Sequence, residues 1–178
     1  MKWLVIGLTV ALLAWVLVAK DEIVEGSWQQ VENKENCTVW NEHPQPNLTV
    51  TWTGGCSGGK ANGNGKRVWR FLEDGAWKES SYTGAMRDGR MHGRGVNVWA
   101  NGNRYEGDYS DEKMNGSGVF VWASGNRYEG DYRDDKPHGS GKYTRADGET
   151  YTGYWEDGCF KQGDRWMVVG TSRRACGF

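Results

Sequence analysis

The chain has 178 residues, with 22 Lys and Arg against 23 Asp and Glu for a net charge of −1. That is room for one ordinary domain and a targeting segment, and it gives no long-range field to draw in nucleic acid or anionic lipid. Gly at 27, Pro at 3 and Trp at 11 exclude a disordered chain, which would be poor in aromatics, and point to turns and aromatic packing.

Residues 3–19, WLVIGLTVALLAWVLVA, carry no charge, follow Lys2 and precede KDE. Such a run predicts a hydrophobic helix within a targeting segment, residues 1–19, which is either a signal peptide or a transmembrane signal anchor. Cleavage after Ala19 would leave Leu17 where a small residue is preferred, so a retained anchor is the favoured form. Lys2 then stays cytoplasmic and all that follows is exported, periplasmic or extracellular, whereas a cleaved chain would be released on the exported side. Residues 20–36 are polar and aperiodic and read as a linker that tethers the rest to the bilayer.

Four cysteines come next, Cys37 and Cys56 at one end of the exported part and Cys159 and Cys176 at the other. They mark an N-terminal cap, 37–81, and a C-terminal cap, 159–178. Four cysteines allow three connectivities; pairing within each end closes only short loops, each contributing about 3 kcal/mol in the chain-entropy view. Neither pair has CxxC spacing and His43 is the only histidine near a cysteine, so no metal and no cofactor are expected.

Between the caps, GNRYEGDY occurs at 102–109 and again at 125–132. Tyr82, Tyr105, Tyr128 and Tyr151 are each 23 residues apart, and Gly84, Gly107, Gly130 and Gly153 keep the same phase. Fixed self-similarity of this length is a structural repeat rather than a duplicated active site, and it defines a repeat region, 82–158, with units starting at 82, 105, 128 and 151. A worn copy precedes it, beginning with WTG at 52–54 and rephased by inserted residues around EDGAWKESS.

Units such as YEGDYRDDKPHGSGKYTRADG at 128–148 resemble the MORN (membrane occupation and recognition nexus) family over residues 52–158. The resemblance implies one β-hairpin per unit, stacked into a long antiparallel sheet that binds or scaffolds and is usually without catalytic activity. The segment from NCTVW to WTGGCSGGKANGNG is similar to the cysteine-bearing first unit of exported bacterial members.

The residues lead to the same all-β class by themselves, an elongated single-layer antiparallel sheet. NRYEGDY alternates with strand period, GVFVWAS is β-branched and aromatic, and ANG, ASG and ADG suit three-residue loops whose final Gly is left-handed. Pairing Tyr105 with Trp122 would set Gly107 opposite Phe120 and Tyr109 opposite Gly118, with the glycines leaving room for a ring from the neighbouring strand. Arg104, Glu106 and Asp108, repeated as Arg127, Glu129 and Asp131, would line the other face as cross-strand ion pairs. His92 and His138 are expected in connecting loops.

A single-layer sheet leaves one face open, so Trp99, Tyr105, Tyr109, Phe120, Trp122, Tyr128 and Tyr132 are expected to form an aromatic groove for a protein or peptide partner. No nucleophile, base or phosphate loop stands outside the repeat pattern, so no catalytic residue is assigned and the chain is not expected to be an enzyme. The expectation is an exported, membrane-associated binding or scaffold module. Contact of the repeats with membrane lipid is the alternative, and an enzyme of unknown type a more distant one.

Overall fold

The computed structural model describes residues 26–178; the expected hydrophobic helix and the start of the linker lie outside the described residues. Alternating strand sequence and positive-φ turns give a single open sheet of 14 strands. β1 (Ser27–Gln30) pairs with β2 (Thr38–Asn41), and β3 (Thr49–Trp52), β4 (Gly55–Ser57) and one residue of β2 all pair with the long β5 (Lys60–Glu73). From there the sheet runs strictly in chain order: β6 (Ala76–Arg87), β7 (Arg90–Val98), β8 (Arg104–Ser110), β9 (Lys113–Val121), β10 (Arg127–Arg133), β11 (Lys136–Thr144) and β12 (Thr150–Glu156). It closes with β13 (Cys159–Gln162) and β14 (Arg165–Val168). Among the described residues there is no helix, and hence none long and apolar enough to cross a membrane.

Two connections alternate. On one side Gly102, Gly125 and Gly148 end three-residue loops with φ of 86°, 87° and 93°, as the ANG, ASG and ADG words predict. On the other, two-residue turns have both residues at positive φ, the type I′ geometry that matches strand twist: Asp88 and Gly89, Asp111 and Glu112, Asp134 and Asp135, Asp157 and Gly158. An odd loop and an even turn return every unit to the same face, so Phe120 stands opposite both Tyr105 and Tyr128.

The turns also lock successive units together. The backbone N–H groups of Glu112, Asp135 and Gly158 donate to the carbonyls of Met91, Met114 and Pro137, one unit back. The carboxylates of Glu112 and Asp135 return the favour by accepting the N–H of Met91 and Met114, each at 2.8 Å. Pro137 has no N–H to offer, and the residue facing it is Gly158, which has no side chain. The third step of the ladder therefore leaves no orphan.

Several expectations need correcting. Ser27–Gln30 is a strand and Val31 is buried, so the described part of the linker belongs to the cap: its N–H and C=O groups complete the β2 edge. The inserted residues around EDGAWKESS, which restore the phase, do so by lengthening the β5–β6 hairpin to a turn at Asp74 and Gly75. Arg104 and Arg127 bond Glu106 and Glu129 on their own strands, and of the expected cross-strand pairs Glu106 makes one, with Arg94 of β7 at 3.8 Å. Asp108 and Asp131 instead accept the N–H of Ser117 and Ser140, filling the bulges where Gly116 and Gly139 have φ of 88° and 82°. His92 and His138 lie in β7 and β11, not in loops, beside Asp111 and Asp157.

Both caps are covalently closed, Cys37 to Cys56 and Cys159 to Cys176, with Cα atoms 5.8 and 5.7 Å apart. Loops of this size confine the unfolded chain by about 3 kcal/mol each, and the bonds fit an oxidising compartment. They fasten the two ends where the sheet would otherwise present free edges.

Candidate binding surface

Glycine sets the floor of this surface. Gly65, Gly84, Gly95, Gly107, Gly118, Gly130, Gly141 and Gly153 face one another pairwise across β5 to β12, an unbroken row perpendicular to the strands. The expected register is thus displaced by two residues up to the glycines, where Tyr105 opposes Phe120 and Gly107 opposes Gly118, and by four beyond the bulge, where Tyr109 opposes Met114. A glycine pair per unit makes a slot with no side chains, and one ring lies in each. A Cβ on Gly95, Gly118 or Gly141 would come within 2.1 to 2.3 Å of Tyr82, Tyr105 or Tyr128, so these rings cross onto the neighbouring strand as foreseen.

Once seated, the rings continue from unit to unit edge to face. Tyr82, Tyr109, Tyr105, Tyr132, Tyr128 and Trp155 follow one another at centroid distances of 5.1 to 5.4 Å and near-perpendicular planes, the arrangement favoured by aromatic quadrupoles. Tyr105 and Tyr128 are 0% exposed, Tyr109 4% and Tyr132 5%. These four were expected to stand open in the groove; the slot and the edge-to-face chain bury them instead.

The two tyrosine columns differ in their hydroxyls. Tyr82, Tyr105 and Tyr128 donate to the carbonyls of Ala85, Asp108 and Asp131, at 2.7, 3.1 and 3.1 Å. The buried hydroxyls of Tyr109 and Tyr132 have no partner, and the same column holds Met86 and Trp155 in the flanking units. Tyr132→Phe is therefore expected to be neutral or to stabilise by up to about 1 kcal/mol, whereas Tyr128→Phe should cost about 1 kcal/mol by orphaning a carbonyl. Urea unfolding of the two variants reads the contrast directly.

Burial also pushes the phenols up: Tyr82 from an ordinary 10.0 to about 12, and Tyr105, Tyr109, Tyr128 and Tyr132 further in the same direction. A folded-state pKa above the unfolded one gives stability that is complete below pH 10 and is lost as pH rises through the folded value. Ultraviolet titration should show these five phenols ionising together with loss of the sheet's circular-dichroism signal above pH 10. Their ionisation at pH 10 with the sheet intact would contradict their burial.

Beside the buried chain runs a second, half-buried row. Trp99 stacks on Phe120 at 5.3 Å and 30°, Phe120 meets Trp122 at 4.5 Å, and Trp122 meets Tyr143 at 5.7 Å. Of the expected groove residues, Trp99, Phe120 and Trp122 remain accessible at its surface. The row is backed by the three-residue loops, which are tied together: the N–H groups of Ala100, Ala123 and Ala146 are capped by Ser80, Asn103 and Asn126.

At its N-terminal end the row opens into a cleft of about 400 Å³ between the 42–48 loop and the sheet, with Trp69, Trp99, Met91 and Met114 among its lining. Arg67 and Glu112, each 6% exposed in its side chain, form an ion pair at 3.1 Å on its floor. This pair escaped the sequence reading, because Glu112 occupies a turn position and Arg67 the worn copy, 45 residues away. The sole trace was a non-glycine at the second turn residue. His43 also lines the cleft, and its N–H is held by Asn41 at 3.0 Å.

A slot-and-ring unit repeated every 23 residues is a family trait, and the family model for the MORN repeat matches residues 52–70, 82–104, 105–127 and 128–150. The chain is a MORN-repeat protein. Among the curated proteins, none matches it in sequence. In MORN terms each matched unit supplies a glycine pair and its ring, and the three from residue 82 onward also supply the positive-φ loop glycine, Gly102, Gly125 and Gly148. The matches stop at residue 150, yet β12 keeps the pattern through Gly153 and Trp155 and hands the sheet to the disulfide-closed cap.

Proposed function

We propose that the chain is an exported, non-catalytic scaffold, held at a membrane through residues 3–19, that binds a polypeptide partner along the half-buried row of Trp99, Phe120 and Trp122. MORN repeats are consistent with a scaffold or membrane-associated module, and the two disulfides accord with export. The observation that carries the reading is the row itself. Large rings are preset on a hydrogen-bonded sheet, so little conformational freedom is lost on binding, and such rings dominate contact energies. The cleft is read as binding rather than catalytic because its one serine, Ser80, forms no hydrogen bond with His43 among the described residues, so no base-activated nucleophile is set up there.

The test is affinity capture from the exported fraction with the full-length chain and with Trp99→Ala/Trp122→Ala, both first shown to retain the β signal. A partner recovered by the parent and lost from the variant supports the scaffold. Equal recovery of every protein by both would remove the row from the account, and intact free thiols at all four cysteines in cells would remove export.

A further inference from the structure

Cations sit over the four tryptophans with accessible surface in the N-terminal part of the sheet, Trp28, Trp40, Trp69 and Trp77, and not over the fully buried Trp52. Lys60 lies 4.2 Å from the Trp28 ring centre, Arg90 4.3 Å from Trp40, Arg67 5.4 Å from Trp69 and Arg70 5.6 Å from Trp77. Trp99, the next tryptophan in the sequence, lines the cleft and among the described residues has no cation over its ring. The charges of the cleft are also out of balance. Arg67 and Glu112 neutralise each other at 3.1 Å, while Glu42 and Asp135 line the same space with no salt-bridge partner among the described residues. Beyond the Arg67–Glu112 pair, the cleft thus carries two carboxylates without a salt-bridge partner among the described residues, set against apolar walls.

Asp135 is only half engaged. Its Oδ1 accepts the Met114 N–H at 2.8 Å, and among the described residues Oδ2 accepts no hydrogen bond. The carboxyl is pushed up by desolvation, against the Met114 N–H and Lys113 and with Asp134 and Glu112 as like charges; a cation nearby would relieve that. Tyr109, 4% exposed, adds to the lining a hydroxyl that has no partner. Around these polar groups stand Met91 and Met114, which suit the apolar stem of a long basic side chain. Because Trp99 belongs to both the cleft and the exposed row, a side chain entering here is on the path of a chain lying along Trp99, Phe120 and Trp122.

We propose that the cleft receives an arginine or lysine side chain of the polypeptide partner, its cationic head held by Trp99 and by the Asp135 and Glu42 carboxylates. This rests on the scaffold reading and names the chemistry that the partner must present. A cation over an aromatic face and a counter-charge in a partly desolvated site together give about ten-fold preference over an uncharged side chain of equal length.

The test uses the full-length chain and three probes, N-acetyl-arginine amide, N-acetyl-lysine amide and the uncharged N-acetyl-norleucine amide, read at the indole N–H signals of Trp69 and Trp99 by NMR. Saturable shifts with the arginine or lysine probe at about ten-fold lower concentration than with norleucine are expected. In Asp135→Asn, which keeps the Oδ1 bond to Met114, the preference should shrink to about two-fold, and Glu42→Gln should reduce it independently of any effect on folding. Equal binding of all three probes would overturn the charge assignment while leaving an apolar polypeptide groove intact. Absence of shifts with every probe would overturn the cleft as a side-chain site, and capture by the Trp99 and Trp122 row would then judge the scaffold reading separately.

Discussion

Gly118→Ala is expected to destabilise the protein by about 3 kcal/mol, near the top of the range for forcing extra atoms into a packed interior. The added Cβ would lie 2.3 Å from the Tyr105 hydroxyl oxygen and 2.5 Å from its ring. The ring cannot step aside, because Tyr109 and Tyr132 abut it at 5.1 and 5.2 Å and its hydroxyl is tied to the Asp108 carbonyl. Gly118 has no positive φ, so alanine fits its backbone and by unfolded-state entropy alone would stabilise. Gly148 is the opposite case: φ is 93° and nothing lies within 4 Å of its Cβ direction, so Gly148→Ala carries only the left-handed strain of about 1 kcal/mol. Denaturant unfolding of both variants separates the accounts. A larger loss at Gly148 than at Gly118 would show that these glycines serve backbone conformation and not the ring slot.

Glu112→Ala is expected to cost about 3 kcal/mol, because it leaves the Arg67 guanidinium buried without its counter-charge. Arg67 is already strained for partners: its Nε has none, and both terminal nitrogens depend on Glu112, at 3.1 to 3.4 Å. The alanine also opens the bond to the Met91 N–H, uncoupling one turn from the unit before it. Arg67→Met alone should cost a comparable amount by stranding the carboxylate. Arg67→Met combined with Glu112→Gly should recover most of the loss, since glycine suits the φ of 76° and an apolar pair replaces an ionic one. Additive losses in this cycle would mean that the two residues act separately.

Periodicity carried the fold a long way in this sequence. Glycines and tyrosines in a 23-residue phase define units, and the three-residue loops and the shared face follow from residue type and spacing, while for the cysteines spacing gives a preference among three connectivities and not the pairing itself. The register does not, because each strand pair has two glycine-containing alignments that satisfy alternation, and only the bulges at Gly116 and Gly139 discriminate between them. Their cause, the inward turn of Asp108 and Asp131 to the N–H of Ser117 and Ser140, reads in the sequence as ordinary surface charge.

The candidate surface was legible only in its outer part. Sequence pattern puts Tyr105, Tyr109, Tyr128 and Tyr132 on the same face as Trp99, Phe120 and Trp122, but a strand pattern resolves two faces and not two depths within one. Depth comes from the glycine slot, which sinks one ring per unit and lets its neighbour close over it edge to face. The cleft is less visible still: Glu112 and Asp135 are equivalent turn positions of successive units, but the repeat puts an acid there only in these two, Arg67 comes from the worn copy, and the 42–48 loop lies outside the period.

The division of this face into a buried tyrosine chain and an accessible tryptophan and phenylalanine row is tested most directly by hydroxyl-radical footprinting of the folded, disulfide-intact protein with residue-level mass spectrometry. Tyr154, 65% exposed, and the row residues Trp99 and Trp122 should be oxidised readily, while Tyr105, Tyr109, Tyr128 and Tyr132 stay protected until denaturant is added. Labelling of Tyr105 or Tyr128 at the rate of Tyr154 in the native protein would contradict the account.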